Sequence, residues 1–293
     1  MKRILVVLLA ISLLFATPSY GIVDWIRGDG TDSVKGTDNA SDIDYDITNY
    51  LQDPLDRQLM NYIHGCSLTR TSVSVITVGI GEVVCANGAG TIKRMRQNTS
   101  TTTIDMAVAG VGGIDSGSAE KASTWYDAYA VADANATTFT AICAEQGTAL
   151  SDATYYRYIG SFYNDSGSDI KEFVWSGNGK DPFILWPTPV SLTTTAVAAF
   201  TAQSCSTGMP SSSTLGLFGV NVGNTNNAAQ LYMRPTGTTG TGITFGYSTS
   251  NSHTSNRGQV VCATDSSQSI DYYDSNVAAP TVGIRVDGFW LKR

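Results

Sequence analysis

The chain has 293 residues, of which 42% are hydrophobic and only 15% are charged. The net charge is −7, and the densest basic cluster, Lys93, Arg94 and Arg96, is too short for the basic stripe of a nucleic-acid-binding protein. We therefore expect no nucleic-acid partner. The abundance of Thr, Ser, Asn and Gly indicates strands joined by turns, because Thr favours pleated surfaces and Gly and Asn supply turn dihedrals.

Residues 1–21 have the parts of a secretory signal peptide. Lys2 and Arg3 form a charged segment, Ile4 to Phe15 form an apolar run, and Ser19 and Gly21 are the small residues of a cleavage site. The apolar run is shorter than the roughly 20 residues that a membrane-spanning helix needs. We expect cleavage after Gly21 and an extracellular, secreted protein that has no contact with a membrane once the signal is removed.

Residues 22–52 are acidic and glycine-rich and have no sustained apolar period, which predicts an extended arm. A short helix is predicted next, from Asp53 to His64. Asp53 is a favourable N-cap residue, and Pro54 fits the first helical position. Gly65 is placed to end the helix in a left-handed conformation.

The helix and a series of short strands are predicted to form a first β-sandwich module, residues 53–178. Asn87-Gly88 predicts a hairpin, because both residues tolerate positive φ. The clearest strand is Thr124 to Ala132, which follows a glycine-rich turn at Gly110. Apolar residues on both of its faces indicate a strand covered on both sides, with Trp125 in the core. We interpret Asp127, the polar exception, as a residue near a sheet edge; the alternative is a paired core carboxylate.

Residues 179–293 are predicted to form a second β-sandwich, of the jelly-roll type, beyond the Ser176–Gly179 boundary. The fold class is therefore all-β, with two sandwich units and one short helix. Polar loops rich in Gly, Thr, Ser and Asn separate about eight strands, which suits a jelly roll. The predicted strands are Val190 to Thr195, Ala198 to Gln203, Leu215 to Val222, Ala229 to Arg234, Ile243 to Tyr247, Gln259 to Ala263, Ser269 to Tyr273 and Val282 to Leu291.

All five cysteines follow the signal peptide, and pairing is the usual expectation for an exported protein. Cys66 and Cys85 flank a predicted hairpin, and Cys205 and Cys262 both lie in the C-terminal half. We predict these two disulfides and a buried free thiol at Cys143. The alternative is that most of the cysteines are reduced, small core residues.

The sequence has no recognised catalytic, metal or cofactor motif. The only histidines, His64 and His253, have no Ser or Cys nucleophile signature nearby, and no phosphate-binding loop occurs. We expect no cofactor and no metal. Two carboxylates suffice for glycoside hydrolysis, but some of the 25 acidic residues will be neighbours by chance. The candidate acids are Asp127, Glu145, Glu172, Asp265, Asp271 and Asp287.

Binding chemistry is concentrated in the loops and strands after Phe245. Aromatic faces beside amide and hydroxyl groups suit sugars, which have apolar faces and many hydroxyls. The alternative is that Tyr247 and either Tyr272 or Tyr273 are core residues. The glycan-binding candidates are Tyr247, Asn251, His253, Arg257, Tyr272 and Tyr273.

Three motifs occur in order in the first half: Gly-Ile-Asp-Ser-Gly-Ser at Gly113 to Ser118, the pair Trp125-Tyr126, and Tyr-Arg-Tyr-Ile-Gly from Tyr156 to Gly160. From Gln52 to Trp175 the chain resembles a module of phage tail-fibre and other virion-associated proteins. The motifs carry no catalytic residue. The resemblance implies a β-rich exterior protein, often a homotrimer, that attaches to host surfaces.

We therefore expect a non-enzymatic structural and adhesive protein, similar to a tail fibre, whose partner is a cell-surface glycan or surface protein. A signal peptide is unusual for a virion protein, because virions usually assemble in the cytoplasm. A secreted bacterial adhesin or carbohydrate-binding protein is therefore the alternative, and a polysaccharide-degrading enzyme is the third.

Overall fold

A computed structural model describes residues 62–90, 93–178, 180–224, 229–247, 255–275 and 280–293, all within one compact unit, Gln58–Arg293. Every regular element in these residues is a β-strand, so the protein is all-β as predicted. None of these residues form a helix that could span a membrane. The predicted signal peptide, the predicted extended arm and most of the predicted helix lie outside the described residues. Ile63 and His64, the last residues of the predicted helix, instead lie in the first strand. Gly65 ends this strand with a φ of 72°.

Nine strands of the first half form two antiparallel sheets. They are β1 (Ile63–Gly65), β2 (Leu68–Arg70), β3 (Val75–Val78), β4 (Gly81–Asn87), β5 (Lys93–Asn98), β6 (Thr102–Asp105), β7 (Thr124–Ala132), β8 (Thr140–Glu145) and β9 (Tyr155–Asn164). One sheet has the order β1-β4-β9-β7-β8, with β5 paired to β4, and the other has the order β2-β3-β6. The predicted hairpin at Asn87-Gly88 joins β4 to β5.

Strand β7 has the predicted bounds and is covered on both faces. The preceding turn depends on Gly110 and Gly112, whose φ angles are 82° and 90°. The edge position proposed for Asp127 is wrong, because β7 lies between β8 and β9. Ser161 of β9 is directly opposite Asp127 and donates to its Oδ1 at 2.6 Å, while Gln146 Nε2 donates to the same oxygen at 3.0 Å.

Nine strands of the second half form two further antiparallel sheets. They are β10 (Val174–Ser176), β11 (Phe183–Thr193), β12 (Thr201–Ser204), β13 (Leu215–Asn224), β14 (Ala229–Pro235), β15 (Ile243–Tyr247), β16 (Ser255–Ala263), β17 (Ser269–Asp274) and β18 (Pro280–Trp290). The five-stranded sheet has the order β10-β11-β18-β13-β16, and the four-stranded sheet has the order β12-β17-β14-β15.

Strand β10 belongs to the second half, although the sequence places it in the first module. It pairs with β11, whereas the segment before it is joined to the end of β9 by the Asn164–Ile170 bridge and by the N–H of Lys171, which donates to the carbonyl oxygen of Tyr163 at 2.7 Å. The buried side chains of both halves form one continuous core. Trp125 packs there against Trp186 and Phe289, with ring centroids 6.0 and 5.8 Å away.

Arg293 joins the second half to the first strands. Only 6% of this residue is exposed, and its guanidinium donates to the carbonyl oxygens of Gly65, Cys66 and Ile159 at 3.2, 3.4 and 3.4 Å. The guanidinium also lies 5.1 Å from the ring of Trp175. Burial lowers the pKa of Arg293 to about 10, which leaves the side chain charged at neutral pH.

Candidate functional site

A groove of about 500 Å³ opens on the face of the five-stranded sheet that points away from the core. This volume lies within the roughly 300–1,000 Å³ that is typical of ligand sites. Residues of β11, β13, β16 and β18 line it, and most are polar residues or glycines beside Pro189, Val220 and Ile284. The residues that matter for its chemistry are Ser191, Gly219, Asn221, Arg257, Gln259 and Arg285. We call this surface the polar groove.

Strand alternation explains why these side chains point outward. In β13 the buried residues Phe218 and Val220 alternate with Gly219, and in β18 the buried residues Ile284 and Val286 alternate with Arg285. The strand register then places one residue from each of four neighbouring strands in a single row. That row is Ser191, Arg285, Gly219 and Gln259, and the next row of β18, β13 and β16 is Gly283, Asn221 and Arg257.

Asp287 lies beneath the polar groove and holds two of its side chains. It is the extra residue of a β-bulge, since Leu217 pairs with Gly288 and Phe218 pairs with Val286. Bulges redirect a side chain, and here the carboxylate extends over β13. Its Oδ1 accepts from Arg285 Nε at 2.7 Å and its Oδ2 accepts from Gln259 Nε2 at 2.7 Å.

The glycine at position 219 makes this arrangement possible. A Cβ atom there would lie 2.5 Å from Arg285 Nε and 2.7 Å from Asp287 Oδ1, closer than real side chains approach. Gly283 differs, because a Cβ atom at that position would meet only Asn221 Cβ, at an ordinary 3.5 Å. A side chain at position 219 would therefore displace Arg285 and Asp287, whereas one at position 283 would not.

Of the predicted glycan-binding residues that the structure describes, Arg257 alone lines the polar groove. Its side chain is exposed, and no hydrogen bond or ion pair joins it to another residue in the described part of the chain. Asn221, opposite Arg257 in the register, has a buried Oδ1 that likewise lacks a hydrogen-bond partner among the described residues. Both side chains therefore have hydrogen-bonding capacity that no described residue uses.

The other predicted binding residues that the structure describes lie elsewhere. Tyr272 is a core residue, only 3% exposed, whose hydroxyl donates to the carbonyl oxygen of Thr195 at 2.9 Å. It therefore offers a ligand almost no surface, which corrects the binding role expected for it. Tyr247 pairs with Ala229 through its backbone, and Asn251 and His253 lie outside the described residues.

Tyr273 lies on the four-stranded sheet, so the fold does not bring it to Arg257. Its ring stacks on Tyr232, with centroids 5.3 Å apart and planes 20° apart, and lies 5.6 Å from Phe200. The Arg234 guanidinium covers Phe200 at 3.7 Å and pairs with Asp271 at 3.2 Å. These contacts form a half-buried aromatic cluster that is separate from the polar groove.

Most of the candidate catalytic acids are held by local partners. Glu145 pairs with Lys121 at 2.5 Å, and Asp265 Oδ1 accepts from the backbone N–H groups of Ser267 and Ser269. Asp127, Asp271 and Asp287 have the partners given above. Among the described residues that line the polar groove, no side chain supplies a carboxylate to pair with Asp287. No described group of three or more His, Cys, Asp or Glu residues could hold a metal ion.

The two predicted disulfides are absent, because all five cysteines are free thiols and buried. The predicted partners are nevertheless electrostatic neighbours. Burial raises the pKa of Cys85 to about 12, and a charge on Cys66 would add to this increase. Burial likewise raises the pKa of Cys205 to about 12, and a charge on Cys262 would add to this increase. The positions of the cysteines in the sequence indicate which of them are neighbours, but they do not show that a disulfide forms.

The Gly-Ile-Asp-Ser-Gly-Ser motif is a structural clamp. Asp115 is fully buried, and its Oδ1 accepts from the N–H groups of Ser151 and Asp152 at 2.9 and 2.8 Å. Its Oδ2 accepts from Ser151 Oγ at 2.8 Å and from the N–H of Gly117 at 3.0 Å. Burial alone would raise the pKa of Asp115, but these hydrogen bonds hold it below 3.8.

Sequence reasoning missed most of the polar groove, although one signal was present. Gly283, Arg285 and Asp287 alternate with Val282, Ile284 and Val286, a pattern typical of a strand with one buried face and one polar face. The same alternation occurs in β13. Comparison of the chain with protein-family models gave no match, and comparison with curated protein sequences gave none either.

Proposed function

We propose that this protein is a non-enzymatic extracellular adhesive protein that recognises a surface glycan through the polar groove. The observation that carries the proposal is the concave row of hydrogen-bonding side chains from Ser191 to Gln259. Hydroxyl, amide and guanidinium groups together supply both donors and acceptors. A ligand with many hydroxyl groups is the one that such a surface suits best.

The state of Asp287 favours binding over hydrolysis. Both of its oxygens accept hydrogen bonds from the protein, and 4% of its side chain is exposed. A carboxylate in this position orients Arg285 and Gln259. Glycoside hydrolysis uses a pair of carboxyl groups about 5–10 Å apart on either side of the bond that is cleaved.

The proposed architecture is a tail-fibre-like first module and a jelly-roll-like second sandwich that carries the binding surface. The resemblance of residues 52–175 to virion-associated modules supports an exterior attachment role and a homotrimer. A secreted adhesin would use the same groove, so a test of glycan binding applies equally to a virion protein and to an adhesin. A light-scattering mass equal to one chain would contradict the trimer.

A glycan array with the full-length protein tests the binding role. Gly283→Phe should abolish glycan binding, because the new side chain fills the groove and its Cβ atom meets no clash. The matched control is Val261→Phe, which adds the same ring to an exposed position of β16 outside the groove. Equal binding by both variants would contradict the groove assignment, and release of reducing ends from a bound polysaccharide would contradict the non-enzymatic role.

A further inference from the structure

We infer that the polar groove binds the carboxylate of an acidic sugar between the guanidinium groups of Arg257 and Arg285. The inference rests on the proposed glycan function and specifies the chemical class of the glycan. It follows from how charge and hydrogen-bonding capacity are distributed among the groove residues.

The carboxylate of Asp287 is already neutralised within the floor of the groove. Arg285 Nε and Gln259 Nε2 occupy its two oxygens, and the side chain is almost fully covered. A ligand therefore meets Arg285 and Gln259 rather than the acid beneath them. Because two arginines and one aspartate contribute, the net charge of the groove is positive although that of the whole chain is −7.

Arg285 has capacity left for a ligand. Asp287 accepts from its Nε, while 53% of the Arg285 side chain is exposed and its terminal nitrogens donate to no other described residue. The bond to Asp287 also fixes the plane of the guanidinium. An oriented guanidinium loses less entropy when it forms a bidentate pair with a carboxylate.

Arg257 supplies a second cation from β16, which β13 separates from β18. Arg285 pairs with Gly219, and Arg257 pairs with Asn221 two residues farther along β13, so the two arginines lie diagonally across β13. Asn221 lies between them in the register and has an amide oxygen without a described partner. A carboxylate can contact both guanidinium groups, and an acidic sugar carries such a group beside its hydroxyls.

Calorimetry with the full-length protein tests the inference with three sugar probes: oligogalacturonate, its neutral methyl ester and a sulfated oligosaccharide. We expect oligogalacturonate to bind most tightly and its affinity to fall as salt is added. Arg257→Gln should weaken oligogalacturonate binding about tenfold or more, because hydrogen bonds to charged groups are stronger than neutral ones. Arg257→Lys should weaken binding less than Arg257→Gln does, without reaching the wild-type affinity. Lys292→Gln removes an exposed charge outside the groove and should leave the affinity unchanged.

The outcomes separate this inference from the proposed function. Equal binding of the acid and its methyl ester would overturn the carboxylate inference and leave glycan recognition intact. Preference for the sulfated sugar would also overturn the inference. Absence of binding to every sugar, on the array and by calorimetry, would overturn both proposals.

Discussion

The indole N–H of Trp125 donates to the carbonyl oxygen of Ser206 at 2.7 Å, across 81 residues of sequence. The hydrogen bond ties β7, an interior strand of the first half, to the segment that follows β12. The same ring packs on Trp186 and Phe289. A single side chain therefore links the two halves through both apolar packing and a hydrogen bond.

Replacing Trp125 should destabilise the whole protein. Trp125→Ala is expected to lower the free energy of unfolding by about 3–5 kcal/mol, because it leaves a large cavity. Trp125→Phe keeps an aromatic ring but removes the donor for Ser206, which should cost about 1 kcal/mol before any packing loss. Urea denaturation followed by circular dichroism measures both changes. A normally melting Trp125→Ala protein would contradict the core role.

The Asp115 clamp should depend on pH in a defined direction. Asp115→Asn replaces one acceptor oxygen by an amide donor, and at pH 7 it should cost about 1–3 kcal/mol. Because the folded pKa of Asp115 is below its unfolded value, its stabilisation is present above the unfolded pKa and is lost as pH falls through the folded pKa. The difference between wild type and variant should therefore shrink in acid. Asp133→Asn, at an exposed position, is the control.

The effect of Asp127 on stability should depend on pH in the opposite direction. Burial raises its pKa above 3.8 despite the hydrogen bonds from Ser161 and Gln146, so its ionised form destabilises the fold. Since both bonds go to Oδ1, Asp127→Asn keeps them and removes the charge. At pH 7 we expect the variant to be at least as stable as wild type. Any advantage should shrink once pH falls below the folded pKa and should be gone below the unfolded pKa, because wild-type Asp127 is then protonated in both states.

Asp127→Ala provides the contrast to Asp127→Asn. It leaves Ser161 and Gln146 without their shared acceptor and should cost about 1–3 kcal/mol. Denaturation at several pH values distinguishes the two variants. If Asp127→Asn were as destabilising as Asp127→Ala, the charge itself would be needed, contrary to the cause assigned to the raised pKa.

The cysteines should be unreactive in the folded protein. Burial raises the pKa of Cys66 and of Cys262 to about 11 and also raises that of Cys143, so few thiolates exist at pH 8. A thiol reagent such as DTNB should react slowly with the native protein. In guanidinium chloride without reductant it should detect five thiols. Detection of one thiol would instead support the two disulfides expected from the sequence.

Local pattern was sufficient for β7 but not for every strand, and it was insufficient for the pairing of the strands. The run from Thr124 to Ala132 has apolar residues on both faces, with Asp127 as the exception, which indicates a covered strand. Its bounds are those of β7. Ile63 and His64 fit a helical period as well as a strand, and their pairing with β4 decides the outcome. Pairing also places Ser161 opposite Asp127, which no local pattern around Asp127 indicates.

The candidate site was harder to predict for the same reason. Arg257 stood out because it lies in a polar segment, but its neighbours in the groove come from strands β11, β13 and β18. The contact between Asp287 and Gln259 depends on a one-residue bulge and on the missing side chain of Gly219. Composition and periodicity contain neither piece of information.

The contacts of Arg293 with Gly65 and Cys66 span 228 and 227 residues. Contacts so distant in sequence form slowly, since a long loop must close before they stabilise anything. The first strands therefore reach their final packing only after residue 293 has left the ribosome. We expect these strands to complete their packing late rather than strand by strand as the chain emerges.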